Sequence, residues 1–84
     1  MQIFMQTAPE PGKAPRFYHL FLQPDLLGGW TVVREWGRQG AAGRVKKDFF
    51  LQRDDAEMQL VSLRDTQLNR GFRIVFIQGD TRTA

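Results

Sequence analysis

Apolar residues gather in short, strand-length stretches along most of this chain, and only one segment near the end has helical spacing. Residues 1–6, MQIFMQ, alternate weakly and suit a short strand. The next nine, TAPEPGKAP, hold three prolines and a glycine. Proline has no N–H for a ladder and restricts the residue before it. Residues 1–15 are therefore expected to be an N-terminal arm that can include that short strand, with the folded domain over 16–84. Residues 17–22, FYHLFL, are apolar on both faces apart from His19, which suggests a central strand. Pro24 and Asp25 end it, and Gly28-Gly29 mark a turn. Residues 30–36, WTVVREW, form the next strand, broken by Gly37, Gly40 and Gly43, and residues 45–51, VKKDFFL, the one after. The connections are too short for parallel crossovers, so these strands pair as antiparallel hairpins or a meander.

Asp54-Asp55-Ala56-Glu57 then resembles a capping box with an acidic N-cap. Ala56, Leu60 and Leu63 fall at i, i+4 and i+7. Val61 and Leu68 widen that stripe, while Arg64 and Gln67 interrupt it. With Arg70 in the last turn and Gly71 just past it, the spacing predicts one helix over residues 55–70. Residues 72–77, FRIVFI, make a last strand, and 79–84 a tail. The predicted fold class is α+β: a small antiparallel sheet of about four to five strands with one helix packed on one face. The other face then meets solvent or a partner.

At 84 residues, with 42% apolar and 25% charged side chains, this is the make-up of one small folded domain and not of a disordered chain. No cysteine and a single histidine exclude a disulfide scaffold, a thiolate nucleophile and a two-histidine metal site, so no metal and no cofactor is expected. The one serine, Ser62, lies inside the predicted helix, and His19 reads as a packed strand residue. There is no phosphate-binding Gly-Lys-Ser/Thr loop or dinucleotide fingerprint. These absences argue against an enzyme. No apolar run approaches the roughly 18 residues of a membrane span, and no signal-peptide pattern opens the chain, so a cytoplasmic protein without membrane contact is expected.

The net charge is only +3, but it is unevenly placed. Residues 30–53 carry Arg34, Arg38, Arg44, Lys46, Lys47 and Arg53 against Glu35 and Asp48, while 54–70 are net acidic. Such a concentration suits an anionic partner, or an edge strand whose cations block pairing. At its centre is Trp36-Gly37-Arg38, followed by Gln39-Gly40-Ala41-Ala42-Gly43-Arg44. An indole can stack on a base or sugar, and a guanidinium fork matches phosphate. Gly37 and Gly40 remove side-chain bulk. Lys46 and Lys47 are consecutive, so at most one shares a face with Trp36. Trp30, Val32, Arg34 and Trp36 share one face, so Trp36 is either core or an exposed platform.

Phe17-Tyr18, Gly29-Trp30 with Arg34, Trp36-Gly37-Arg38, Gly40 and Gly43, a charged strand, a helix, and Arg70-Gly71-Phe72 occur in this order. The pattern resembles the WGR domain over roughly residues 16–77. WGR domains occur in poly(ADP-ribose) polymerases, where they bind DNA ends and relay damage to a catalytic domain, and as small stand-alone bacterial proteins, which this chain resembles most. The resemblance implies that Trp36 stacks on a sugar at a DNA terminus and that Arg38 contacts nucleic acid or a neighbouring domain. These 84 residues hold no polymerase domain, so nucleic-acid contact is expected to carry over from the resemblance and damage signalling is not. The expected role is a non-catalytic module that binds nucleic acid, DNA in preference to RNA, through Trp36, Gly37, Arg38, Arg34, Arg44, Lys46 and Lys47, without reading sequence. The alternative is a protein-interaction module using the open sheet face and the Trp-Gly-Arg loop.

Overall fold

A computed structural model describes residues 1–79 of the chain. Its elements are β1 (Gln2–Thr7), β2 (Arg16–Pro24), β3 (Trp30–Arg38), β4 (Arg44–Phe50), α1 (Arg53–Asn69) and β5 (Phe72–Gln78). All strand pairs are antiparallel, in the order β4-β3-β2-β1-β5. The first four strands form a meander. α1 then carries the chain from one edge of the sheet to the other, where β5 joins beside β1. This is an α+β architecture with five strands and one helix.

Of the arm expected over residues 1–15, Gln2–Thr7 is β1, hydrogen-bonded to β2 on one side and β5 on the other. The short alternation there is enough because Ile3 and Met5 both enter the core, with Met5 fully buried. The apolar run of β2 does lie in the middle of the sheet. The tail expected over 79–84 falls, from Asp80 onward, outside the described residues.

Strand alternation gives the sheet two sides. Ile3, Met5, Tyr18, Leu20, Leu22, Val32 and Phe72 share one buried cluster with Ala56 and Leu60 of α1. Burying a leucine as completely as Leu20 or Leu60 contributes about 1.5–3 kcal/mol.

Two details of α1 differ from expectation. The helix starts at Arg53, and its N-cap is Gln52, which makes no side-chain capping hydrogen bond. Asp54 and Asp55 lie in the first turn, where they favour the helix through its dipole and not as caps. The buried stripe is Ala56, Leu60 and Gln67, with Leu63 packed against the core. Val61 and Leu68 are exposed, because at about 100° per residue they sit roughly 120–140° round from Ala56. Gly71 ends the helix with φ 96°, a left-handed conformation that favours glycine, and its N–H donates to the Leu68 carbonyl.

α1 leaves β4 at Phe50, which pairs with Trp30, and delivers the chain to Phe72, which pairs with Thr7. In this register those points lie at opposite ends and opposite edges of the sheet. The helix therefore crosses on the diagonal and leaves two corners of its own side uncovered. One corner holds the Trp36–Arg38 end of β3 with the start of β4. The other is the end of β5, where Ile77 is exposed.

Candidate nucleic-acid interface

The first uncovered corner gathers most of the cations singled out in the sequence. Arg16 pairs across strands with Arg38, Trp36 with Arg44, and Arg34 with Lys46. Directly paired residues share a side of the sheet. All six therefore lie on the helix side, and within β2, β3 and β4 the only carboxylate on that side is Asp48. Lys47 pairs with Val33 and lies on the opposite side. The consecutive lysines are thus split, and Lys46 is the one beside Trp36.

The cations are not equivalent. The Arg34 side chain is only 18% exposed, and its Nη2 lies 3.5 Å from Asp48 Oδ2. Its Nε is buried without a hydrogen-bond partner. Arg34 is thus partly neutralised inside the molecule and lies behind the surface. Arg38, Arg44 and Lys46 are exposed, and none forms an ion pair with a described residue. Arg16 is also exposed, its guanidinium 5.6 Å from the centre of the Phe72 ring. That distance is within cation–π range and orients the side chain without cancelling its charge.

Trp36 is half-buried. Its ring lies 5.8 Å from that of Tyr18 at an interplanar angle of 18°, and Tyr18 meets Phe72 edge-on at 5.9 Å. The indole is thus packed against the core on one face but not enclosed. Trp30, its partner in the sequence pattern, sits at the far end of β3 beneath the Arg53 guanidinium, 4.8 Å from the ring centre.

The glycines of the β3–β4 hairpin divide into two kinds. A Cβ on Gly43 would lie 2.9 Å from the Trp36 carbonyl oxygen and 3.1 Å from Phe17 Cζ. A Cβ on Gly37 would lie 3.1 Å from Gly43 Cα. The space expected at Gly37 for an incoming backbone is taken up by the chain's own close approach. At Gly40 nothing lies within 4 Å of the corresponding position.

A cleft of about 260 Å³ adjoins the corner, lined by Arg38, Arg16, Thr7, Glu10 and Lys13 among others. Lys13 pairs with Glu10 at 3.6 Å. Arg16 was missed as a candidate from the sequence. Its parity with Tyr18 and Leu20 was readable, but its register against Arg38 was not.

His19 lies on the other side of the sheet, half-buried. Its ring meets Phe4 edge-on at 5.2 Å and Phe21 at 4.0 Å, and Nε2 is 2.9 Å from Gln2 Oε1. Burial pushes its pKa below the ordinary 6.5, with the Glu35 charge pulling weakly the other way. Among the described residues, no three acidic or histidine side chains are grouped to hold a metal ion, and no helix is long and apolar enough to cross a membrane.

A family model described as the WGR domain matches residues 1–75, from β1 into β5. A protein of Sinorhizobium fredii (strain NBRC 101917 / NGR234) named "Uncharacterized protein y4dW" is 33% identical over 72 residues, which is 86% of this chain and 35% of that protein. The chain thus spans about a third of that relative's length. No solved structure gives a significant match. The tripeptide Trp36-Gly37-Arg38 ends β3 at the uncovered corner, and the family match runs through nearly all of the described fold: this chain belongs to the WGR domain family.

Proposed function

We propose that the chain is a non-catalytic module that binds nucleic acid, DNA in preference to RNA, at a duplex or its terminus and without sequence preference. The observation that carries this is the uncovered corner, where exposed Arg16, Arg38, Arg44 and Lys46 surround Trp36 and no described carboxylate is paired with any of them. These four cations contact phosphates, and Arg38 leads because it sits at the tip of β3. Trp36, held by Tyr18 on one face, offers the rest of its ring to a terminal sugar. Arg34 acts behind them, fixing β3 to β4 through Asp48. Lys47 reaches the ligand only around the edge of β4. Base reading is not part of this function, because α1 is net acidic and the corner holds no recognition helix.

The test is binding of a blunt DNA duplex by the full chain. Loss of a charged hydrogen bond is worth about 1.5–3 kcal/mol, so Arg38→Glu should weaken binding by about ten- to a hundredfold. Trp36→Leu should weaken it by a comparable factor while keeping the contact with Tyr18 apolar. Unchanged affinity in Arg38→Glu would refute the assignment.

A protein partner is a second reading, and a specific feature favours it. Leu26 and Leu27 are fully exposed at the β2–β3 turn. Asp25 holds that turn in place, its Oδ1 accepting from the Leu27 N–H at 2.9 Å. Two leucines presented on an ordered turn suit an apolar pocket of another protein. Duplex binding that survives Arg38→Glu, together with a partner lost in Leu26→Ser, would favour this reading.

A further inference from the structure

The side of the sheet opposite α1 is uncovered among the described residues, yet it is not a polar surface. Phe4 of β1, Phe17 and Phe21 of β2, Phe49 of β4 and Phe76 of β5 all lie on it by register. Phe4 and Phe17 are nearly parallel, at 13° with centroids 6.2 Å apart. Phe49 and Phe76 are 53% and 50% exposed. An aromatic patch of this extent on a small domain marks a binding surface.

Its rim indicates what covers it. Lys47 on edge strand β4 and Arg73 on edge strand β5 lie on this side, opposite Val33 and Gln6. Both are exposed, and neither forms an ion pair with a described residue. Glu35 is the only carboxylate of the five strands on this side. The two cations thus bracket the rings diagonally, four strand spacings (about 19 Å) across the sheet and about four residues apart along it. Gln2, Gln6 and Gln78 add amide groups between the rings, tied into place by hydrogen bonds to His19, Gln39 and one another. A second copy docked face to face would bring one net positive surface against another. A polyanion with flat, unstacked rings fits both the charge and the aromatics.

We propose that this helix-free side is a second nucleic-acid surface, which takes an unpaired strand by stacking its bases on the phenylalanines, with Lys47 and Arg73 on the phosphates. It lies on the opposite side of the sheet from the duplex corner, meets it only at Lys47 on the β4 edge, and does not depend on Arg38 or Trp36. Trp30 and Trp36 both lie on the helix side, so the two sites report differently.

The experiment compares a short fluorescein-labelled oligothymidylate with a blunt duplex on the full chain. Phe49→Leu with Phe76→Leu removes two stacking rings at half-exposed positions and keeps apolar volume where Phe49 packs over Gly29. Phe4→Leu with Phe21→Leu does the same nearer the centre while keeping apolar volume. Each pair should weaken single-strand binding by about five- to a hundredfold and leave duplex binding unchanged. Arg38→Glu should do the reverse, and single-strand binding should leave tryptophan emission unquenched. The proposal is overturned if the wild type does not bind the oligothymidylate, if the Phe49/Phe76 pair binds it normally, or if Arg38→Glu abolishes it. It is also overturned if sedimentation shows that the wild type dimerises and the leucine variants do not, for the face then serves self-association. Should the Phe4/Phe21 pair fail to fold, the Phe49/Phe76 pair decides alone. Failure here with duplex binding still sensitive to Arg38→Glu leaves the corner assignment standing, and the opposite result leaves the aromatic face standing.

Discussion

Arg34 and Arg38 occupy the same side of one strand, four positions apart, yet only one is available to a ligand. Arg34 lies opposite a strand that brings Asp48 within 3.5 Å, while Arg38 lies past the last β3–β4 pair, where no acidic residue follows. The sequence placed both in the basic stretch but could not separate them, because the pairing of Arg34 with Asp48 depends on a diagonal contact between strands. Trp36 was ambiguous for the same reason: parity put it on the core side, but only the diagonal path of α1 leaves that end of β3 partly open.

His19 carries a prediction at this scale. Its folded pKa lies below 6.5, so between the two values the unfolded chain binds more protons than the folded one. Stability from this residue is then complete above pH 6.5 and is lost as pH falls below it. Thermal melts across that range should show a drop in Tm toward acid, and His19→Gln, which keeps a partner for Gln2, should flatten it. A wild-type profile that is flat from pH 7 to 5 would contradict a half-buried His19 whose pKa is lowered by desolvation.

Among the elements, β2, β3, β4, β5 and the body of α1 were legible in the sequence because each has an apolar run or a spacing that only one structure satisfies. β1 was less so. Six weakly alternating residues before a proline stretch look peripheral, and nothing local shows that two strands will close on either side of Ile3 and Met5. Asp54 and Asp55 have the chemistry of caps, so the sequence points to a start at residue 55, two residues past the observed one at Arg53. Gln52, at the actual boundary, makes no side-chain cap, so it left no signal to read. Helical stability must therefore come mainly from packing. Leu60, fully buried between α1 and the sheet, carries a large part of it. Leu60→Ala should lower unfolding stability by about 2–5 kcal/mol in urea titration, whereas truncating exposed Val61 should have little effect. Equal losses at both positions would mean that the helix rests on a different face.

At the scale of the whole molecule, one geometric feature underlies the proposed function. A single helix that joins diagonally opposite corners of the sheet sets Ala56 and Leu60 into the core and leaves the corner at the tripeptide open. The net charge of +3 understates the field there, because the acidic residues are concentrated on α1 while the cations line β3, β4 and the start of β2. The sequence showed the concentration of charge, but its assembly with Arg16 required the strand register. The most direct measurement is the salt dependence of duplex binding by the full chain. If Arg16, Arg38, Arg44 and Lys46 neutralise four phosphates, log K should fall against log salt with a slope of about −3.6, and Arg38→Glu should make it shallower by about one unit. A slope near zero in the wild type, or one that Arg38→Glu leaves unaltered, would contradict a phosphate-binding corner.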